Sequence, residues 1–347
     1  MTPFPQRSLT RRLFCHAAFT LLLVAGCSTT SPQSSSAGGA ATAPTTGELL
    51  LARNGKFFRF DLATRKQTPF GQIPKNTLVA APCLSPDRKQ LVYTVYLMPT
   101  TANDLGGNDL AVMSAAGANP RVVRTHGQQH GSFENPTWAA DQKSLITTVR
   151  TSSGGTGQTI KETTTIVRVP LSGGEPVSLV SGDSATASPD GKYLAYLTTD
   201  SQAKQRLWIA NPDGSHGREL AANQGFSYMR APSFSPDSQL IVFAGAGGPK
   251  TVKPTAKAPS SLLASLVGPA VAEADGIPMN IWTIRPDGSQ LRQLTNAEDH
   301  SPTPTWSPDG KWIASAGERS LLLIDVAGTQ SVSLASNTLL SGIAWLT

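Results

Sequence analysis

From residue 47 onward the apolar residues come in short bursts, broken by turns rich in Pro, Gly, Asp and Asn, and the pattern recurs along the chain. Bursts this brief, with so many breakers between them, predict strands rather than helices. The sharpest repeats are Ser188-Pro189-Asp190-Gly191-Lys192 and Ser307-Pro308-Asp309-Gly310-Lys311. Looser copies are Ser85-Pro86-Asp87-Arg88-Lys89, Ser235-Pro236-Asp237-Ser238-Gln239 and Ala139-Ala140-Asp141-Gln142-Lys143. Four residues after each Asp stands a branched aliphatic (Leu91, Leu145, Leu194, Ile241, Ile313). Two before each Pro, or before Ala140, stands a mainly bulky residue (Leu84, Trp138, Ala187, Phe234, Trp306). This is a tight hairpin. Pro presets φ at the first corner, Asp accepts hydrogen bonds from backbone amides across the turn, and Gly takes the left-handed conformation that closes it. Arg88, Gln142 and Ser238 stand where that Gly would be, at an expected cost of about 1 kcal/mol each.

After a variable loop, each hairpin is followed by another apolar run: Phe57 to Phe60, Leu110 to Met113, Ile166 to Val169, Leu207 to Ala210, Ile281 to Ile284 and Leu321 to Ile324. Glu219-Leu220 and Gln293-Leu294-Thr295 read as fourth strands. Units of four antiparallel strands, about 40 to 55 residues each, are the blades of a β-propeller. The first blade is split. Glu48 to Leu51 and Phe57 to Leu62 supply its second and third strands, and Ile343-Ala344-Trp345 supplies the missing first. The expected fold is therefore all-β, a six-bladed propeller over 47–347, its ring closed when the C-terminal strand joins the N-terminal blade and leaves no sheet edge open. Seven blades are the alternative, because Asp237 and Asp309 lie 72 residues apart where the other copies are roughly 50 apart. The extra stretch, Gly245 to Pro278, is rich in Pro, Ala and Gly with one apolar cluster (Leu262 to Val267), and is expected to be a long loop carrying one short helix.

The segment Pro304-Thr305-Trp306-Ser307-Pro308-Asp309-Gly310-Lys311, with strands of the kind running from Ile281 to Thr295, resembles the WD-like repeat of the TolB-like β-propeller family. It is similar also to the propeller that caps prolyl-oligopeptidase-type enzymes. The resemblance covers residues 47–347. It implies a binding scaffold, with loops at one mouth of a central channel engaging a protein or a ligand. Some TolB-like propellers are metal-dependent uronide lyases built on clustered His, so a carbohydrate lyase acting in the channel is the alternative. That reading needs three converging His where this sequence offers two. The peptidase relatives carry Ser, Asp and His in an appended α/β domain, whereas the last residues here read as a closing strand.

Ahead of the repeats, Arg7, Arg11 and Arg12 precede an apolar stretch from Leu13 to Gly26 that is too short to span a bilayer. Val24-Ala25-Gly26-Cys27 resembles the lipobox of bacterial lipoproteins, which implies thioether lipidation of Cys27 and removal of residues 1–26 as a signal peptide. An ordinary signal peptide with an incidental cysteine is the other reading. Thr10-Arg11-Arg12-Leu13-Phe14 resembles a twin-arginine signal, from which Cys15-His16 departs, so both the twin-arginine and the general secretory routes stay open. Residues 27–46 are nearly all Ser, Thr, Ala, Gly, Pro and Gln, a flexible tether with an end-to-end distance of roughly 25 Å. Ser28 is not the Asp that favours inner-membrane retention. The expected location is the periplasmic side of an outer membrane, or the outer face of the cell membrane where only one membrane exists.

Charge changes the picture little. The chain carries +6, but three of its basic residues belong to the leader, leaving 26 basic against 23 acidic side chains. So small a surplus excludes a phosphate-tracking surface, and no nucleic acid partner is expected. Cys83 alone remains after Cys15 and Cys27, so neither an intramolecular disulfide nor a thiolate zinc site is available, and a buried inert thiol is expected. His126 and His130 fall in a Gly-containing loop and read as solvated; His216 falls in an outer turn; His300 precedes an innermost strand and points to the channel. Gly154-Gly155-Thr156-Gly157 lacks a Lys-Ser/Thr partner, and no Gly-x-Ser-x-Gly elbow exists. Asp87, Asp141, Asp190, Asp237 and Asp309 fall one to a blade, as turn formers. No catalysis, cofactor or metal is expected, and the partner is an envelope protein or glycan bound by a monomer. Loops before the first strand and between the second and third share one face. There His130, Phe133, Glu134, Phe226, Tyr228, Arg230, Asp299 and His300 make up the expected binding face, aromatic residues beside Arg being typical of interaction hot spots.

Overall fold

The repeated turns close as the sequence requires. The Ser85 hydroxyl donates to Asp87 Oδ1 at 2.6 Å, as does Ser188 to Asp190 at 2.7 Å and Ser307 to Asp309 at 2.6 Å. The same carboxylate oxygens accept the backbone N–H two residues on. Ala139 has no hydroxyl, and Asp141 accepts from Ser144 instead. Fixed this way, each turn aims two apolar strands antiparallel. A computed structural model describes residues 42–73, 77–97, 106–127, 131–153, 161–249, 277–296, 299–336, 338 and 340–347. The leader, Cys27 and most of the tether lie outside these residues, as do His130 and the interior of the Gly245 to Pro278 stretch, with its expected helix.

Six antiparallel sheets result, and no helix occurs among the described residues. In blade two the order is Leu78–Leu84, Gln90–Leu97, Gly107–Ser114, Arg121–Arg124 from the axis outward. The innermost strands of blades three to six are Ser132–Trp138, Asp183–Ala187, Phe226–Phe234 and Thr303–Trp306. Gly342–Trp345 is the innermost strand of blade one, pairing Leu49 with Trp345 and Leu51 with Ile343. The ring is closed by the two ends of the propeller, and the blades number six, not seven. Ile241–Gly247 pairs with Pro278–Ile284, so the residues between them join the second and third strands of blade five. Asp299–His300 adds a short pairing to the same strand.

Both faces of each sheet pack on neighbouring sheets, so the core is a set of inter-blade layers. Leu49, Leu51, Trp312, Leu323 and Trp345 form the layer between blades six and one. Phe226, Phe243 and Trp282 lie in the layer between blades four and five, with ring centroids 5.0–5.5 Å apart in edge-to-face contact. The fourth strands run from two residues (Arg218–Glu219, Arg292–Gln293) to six (Ser331–Ser336), and the two expected from the sequence, at Glu219 and Gln293, lie where they were placed.

Candidate functional site

The innermost strands enclose a channel of about 560 Å³. Four of them, in blades two to five, carry a bulge at the same place, where the register slips beside Ala81, Asn135, Ser184 and Ala231. All four residues have positive φ, between 48° and 51°, and all line the channel. Non-glycine residues in this region cost on the order of 1–3 kcal/mol and persist only where the surroundings over-determine them. A bulge re-aims side chains and ends strand pairing locally. The sequence carries a partial signal: in three of the four a proline follows the bulge residue (Pro82, Pro136, Pro232), whereas blade four has Ala185 there. The innermost strands of blades one and six keep a regular register, blade six despite Pro304.

On the wall between blades three and four, Asn135 Nδ2 donates to Asp183 Oδ1 at 3.1 Å and to Ser184 Oγ at 3.0 Å, and Thr148 Oγ1 donates to the same Asp183 oxygen. Asp183 Oδ2 has no hydrogen-bond partner among the described residues. On the wall of blade five, Tyr228 and Arg230 stand two residues apart in one strand, so both side chains leave on one side, while Met229 between them is buried. Neither side chain makes a hydrogen bond or ion pair among the described residues. Burial holds the Arg230 guanidinium below its ordinary value, against the opposing pull of Tyr228 and Glu318.

The expected binding face therefore separates into parts. Tyr228 and Arg230 do line the channel. Glu134 is engaged by Arg150, with Nε–Oε1 at 2.8 Å and Nη2–Oε2 at 3.0 Å, and this carboxylate holds Arg150 above its usual range. Phe133 and Phe226 must be corrected to core. They are 0% and 3% exposed, in inter-blade layers, because an aromatic at the start of an inner strand has a neighbouring blade to pack against. Asp299 is likewise buried, accepting the amides of His300 and Arg319 and the hydroxyl of Ser320. It ties the turn between two strands of blade six, and a Cβ on Gly317 would meet its carboxylate at 2.5 Å. His300 is mostly buried with Nδ1 3.9 Å from Glu318 Oε2, and it does not line the channel.

His126 is not solvated as its loop sequence implied. Its Nδ1 lies 2.6 Å from Asp109 Oδ1, which also accepts its backbone N–H, and the pair fastens the loop after Arg121–Arg124. Sequence reasoning missed the partner because 17 residues separate the two. Among the described residues no three metal-ligating side chains come together. Cys83 borders the channel, but its sulfur packs in the layer with Trp138 and Leu145, and that burial pushes the thiol up to about 11. It is protonated at neutral pH and a poor nucleophile.

No family model matches this chain, and no curated protein matches it. Solved structures do. A protein described as TolB from Agrobacterium tumefaciens is 17% identical with a TM-score of 0.53, over 76% of this chain and 83% of that one. TolB from Acinetobacter baumannii is 15% identical with a TM-score of 0.57, over 86% and 66%. A chain of the nidogen/laminin complex is 15% identical with a TM-score of 0.59, over 86% and 98%. At such identities the likeness shows the fold, a β-propeller of the kind found in TolB.

Proposed function

We propose that this protein is a lipid-anchored scaffold of the cell envelope that holds an envelope protein in its central channel. The channel carries the reading. It is the right size for a ligand site, and its walls present an unpaired Arg230, the Tyr228 hydroxyl and a free oxygen of Asp183 where a folded core would satisfy all three. The TolB-like fold fits a scaffold, and the leader 1–26 with Cys27 directly after it fits export and anchoring at the periplasmic side of an outer membrane, or at the outer face of a single one.

A photo-crosslinking amino acid at Thr305, on the channel wall, tests this in intact envelopes. Val177, 58% exposed on the outer strand of blade three, is the control position. A discrete protein adduct from Thr305 and none from Val177 is expected. No adduct from Thr305, or the same adducts from both, would overturn the channel as the binding site.

A further inference from the structure

We infer that Arg230 and Tyr228 form a carboxylate seat in the channel wall, and that the occupant is a peptide segment presenting an Asp, Glu or C-terminal carboxylate to it. The inference deepens the channel-binding reading and rests on it.

Several partly buried arginines among the described residues have found partners. Arg150 is forked onto Glu134, Arg206 puts two nitrogens on Asp200 Oδ2, and Arg88 donates to the Trp345 carbonyl at 2.8 Å. Arg124, Arg168 and Arg285 leave buried nitrogens unpartnered, but none of the three lines the channel. Arg230 alone among the described residues brings an unpaired guanidinium to the channel. Its guanidinium makes no hydrogen bond or ion pair among the described residues, and only the longer-range pull of Tyr228 and Glu318 offsets its burial. Its presence is explained if the opposing charge arrives with the ligand. The fork geometry of guanidinium suits a planar carboxylate, and the neighbouring phenol adds a second donor from the same side.

The rest of the channel decides between acidic chains. Asp183 offers an unpartnered carboxylate oxygen to the same space, and Glu318 is near enough to act on Arg230. A polyuronate, with a carboxylate on every ring, would set its own charges against these. A peptide can place one carboxylate on Arg230 and give amide or cationic donors to Asp183.

The test uses the full chain in detergent, with 15N-labelled arginine side chains followed by NMR. The Nε–Hε resonance absent from Arg230→Gln should shift with acetate, stay still with chloride at equal ionic strength, and saturate with a capped Gly-Glu-Gly peptide at about tenfold lower concentration than with trigalacturonate. An unmoved resonance, an equal response to chloride, or tighter binding of trigalacturonate overturns the proposal. Arg230→Gln should also raise the melting temperature, since it removes a desolvated cation; a fall would mark Arg230 as a structural residue and overturn the seat. In envelopes, the Thr305 adduct should be lost from Arg230→Gln. An undiminished adduct rejects the seat while leaving the channel reading intact, whereas no adduct in the unaltered protein rejects both.

Discussion

Asp190 shows how much one side chain settles. Its Oδ1 accepts from the Ser188 hydroxyl and from the Lys192 amide, and the hydroxyl first, then the Lys192 side chain and amide, hold its carboxyl below the usual carboxylate range despite some burial. Asp87 is held down the same way by Ser85. A carboxylate whose folded pKa is depressed contributes stability in full above its unfolded value of about 3.9, and loses it as pH falls through the folded value. Asp190→Asn should therefore lower the melting temperature at pH 7 by about 1–2 °C, and the difference from the unaltered protein should shrink below pH 4. Thermal unfolding at pH 7 and pH 2.5 reads this directly; a gap that stays constant would show that the charge contributes nothing. The neighbouring Gly position is subtler. Arg88, Gln142 and Ser238 all adopt positive φ, at 61°, 55° and 62°, as a Gly replacement must. Yet each reaches the preceding blade: Arg88 donates to the Trp345 carbonyl, Gln142 Oε1 accepts from the Asp87 amide, and Ser238 Oγ accepts from the Asp190 amide. The strain visible in the sequence is offset by bonds that only the assembled ring reveals.

Among strands, legibility followed burial. The third strand of every blade was readable because it is apolar on both sides, as at Leu321 to Ile324, which are 0–4% exposed. Fourth strands such as Gln67–Pro69 and Arg121–Arg124 were not, because they are short, lie largely exposed at the rim and show no alternation. The same two-sided burial misled the reading of the site. Alternation separates inside from outside only when one face of a sheet meets water. Here both faces are covered, so Phe133 and Phe226 could not be told from channel residues by position. Arg230 was legible because a charge seldom enters an inter-blade layer, and that left it the axis; Tyr228, two residues before it, also packs partly on the layer beside blade six. The strand that was read correctly with the fewest residues is the last. Gly342–Trp345 buries Ile343, Ala344 and Trp345 while its backbone pairs with Glu48–Arg53. Trp345→Ala should cost about 3–5 kcal/mol, the range for emptying a buried indole site, whereas Val177→Ala on the rim should change stability by less than about 0.5 kcal/mol. Urea midpoints compare the two. Equal midpoints would mean that the ring does not depend on its closing strand.

At the scale of the whole molecule, the blades are tied one to the next by polar contacts as well as by apolar layers. Trp138 Nε1 donates to the Cys83 carbonyl, Trp306 Nε1 to that of Ser233, and Arg65 of blade one reaches the carbonyls of Ser333 and Leu334 in blade six. A body stitched in this way can be tethered at one end without strain. The Ser/Thr/Ala/Gly segment after Cys27 has no large apolar side chains. The lipid alone would then decide where the protein resides. If Cys27 carries a diacylglyceryl thioether, mass spectrometry of the N-terminal peptide from envelopes should find Cys27 as the first residue with the mass of the lipid. The protein should sediment with membranes after a high-salt wash, since its net charge without the leader is only +3 and electrostatic adhesion would be weak. Cys27→Ser should abolish the lipid mass and block cleavage before residue 27, so that the uncleaved precursor accumulates. A mature chain cut elsewhere, with a free thiol at Cys27, would instead make this an ordinary secreted propeller and remove the anchor from the proposed function, while leaving the channel chemistry untouched.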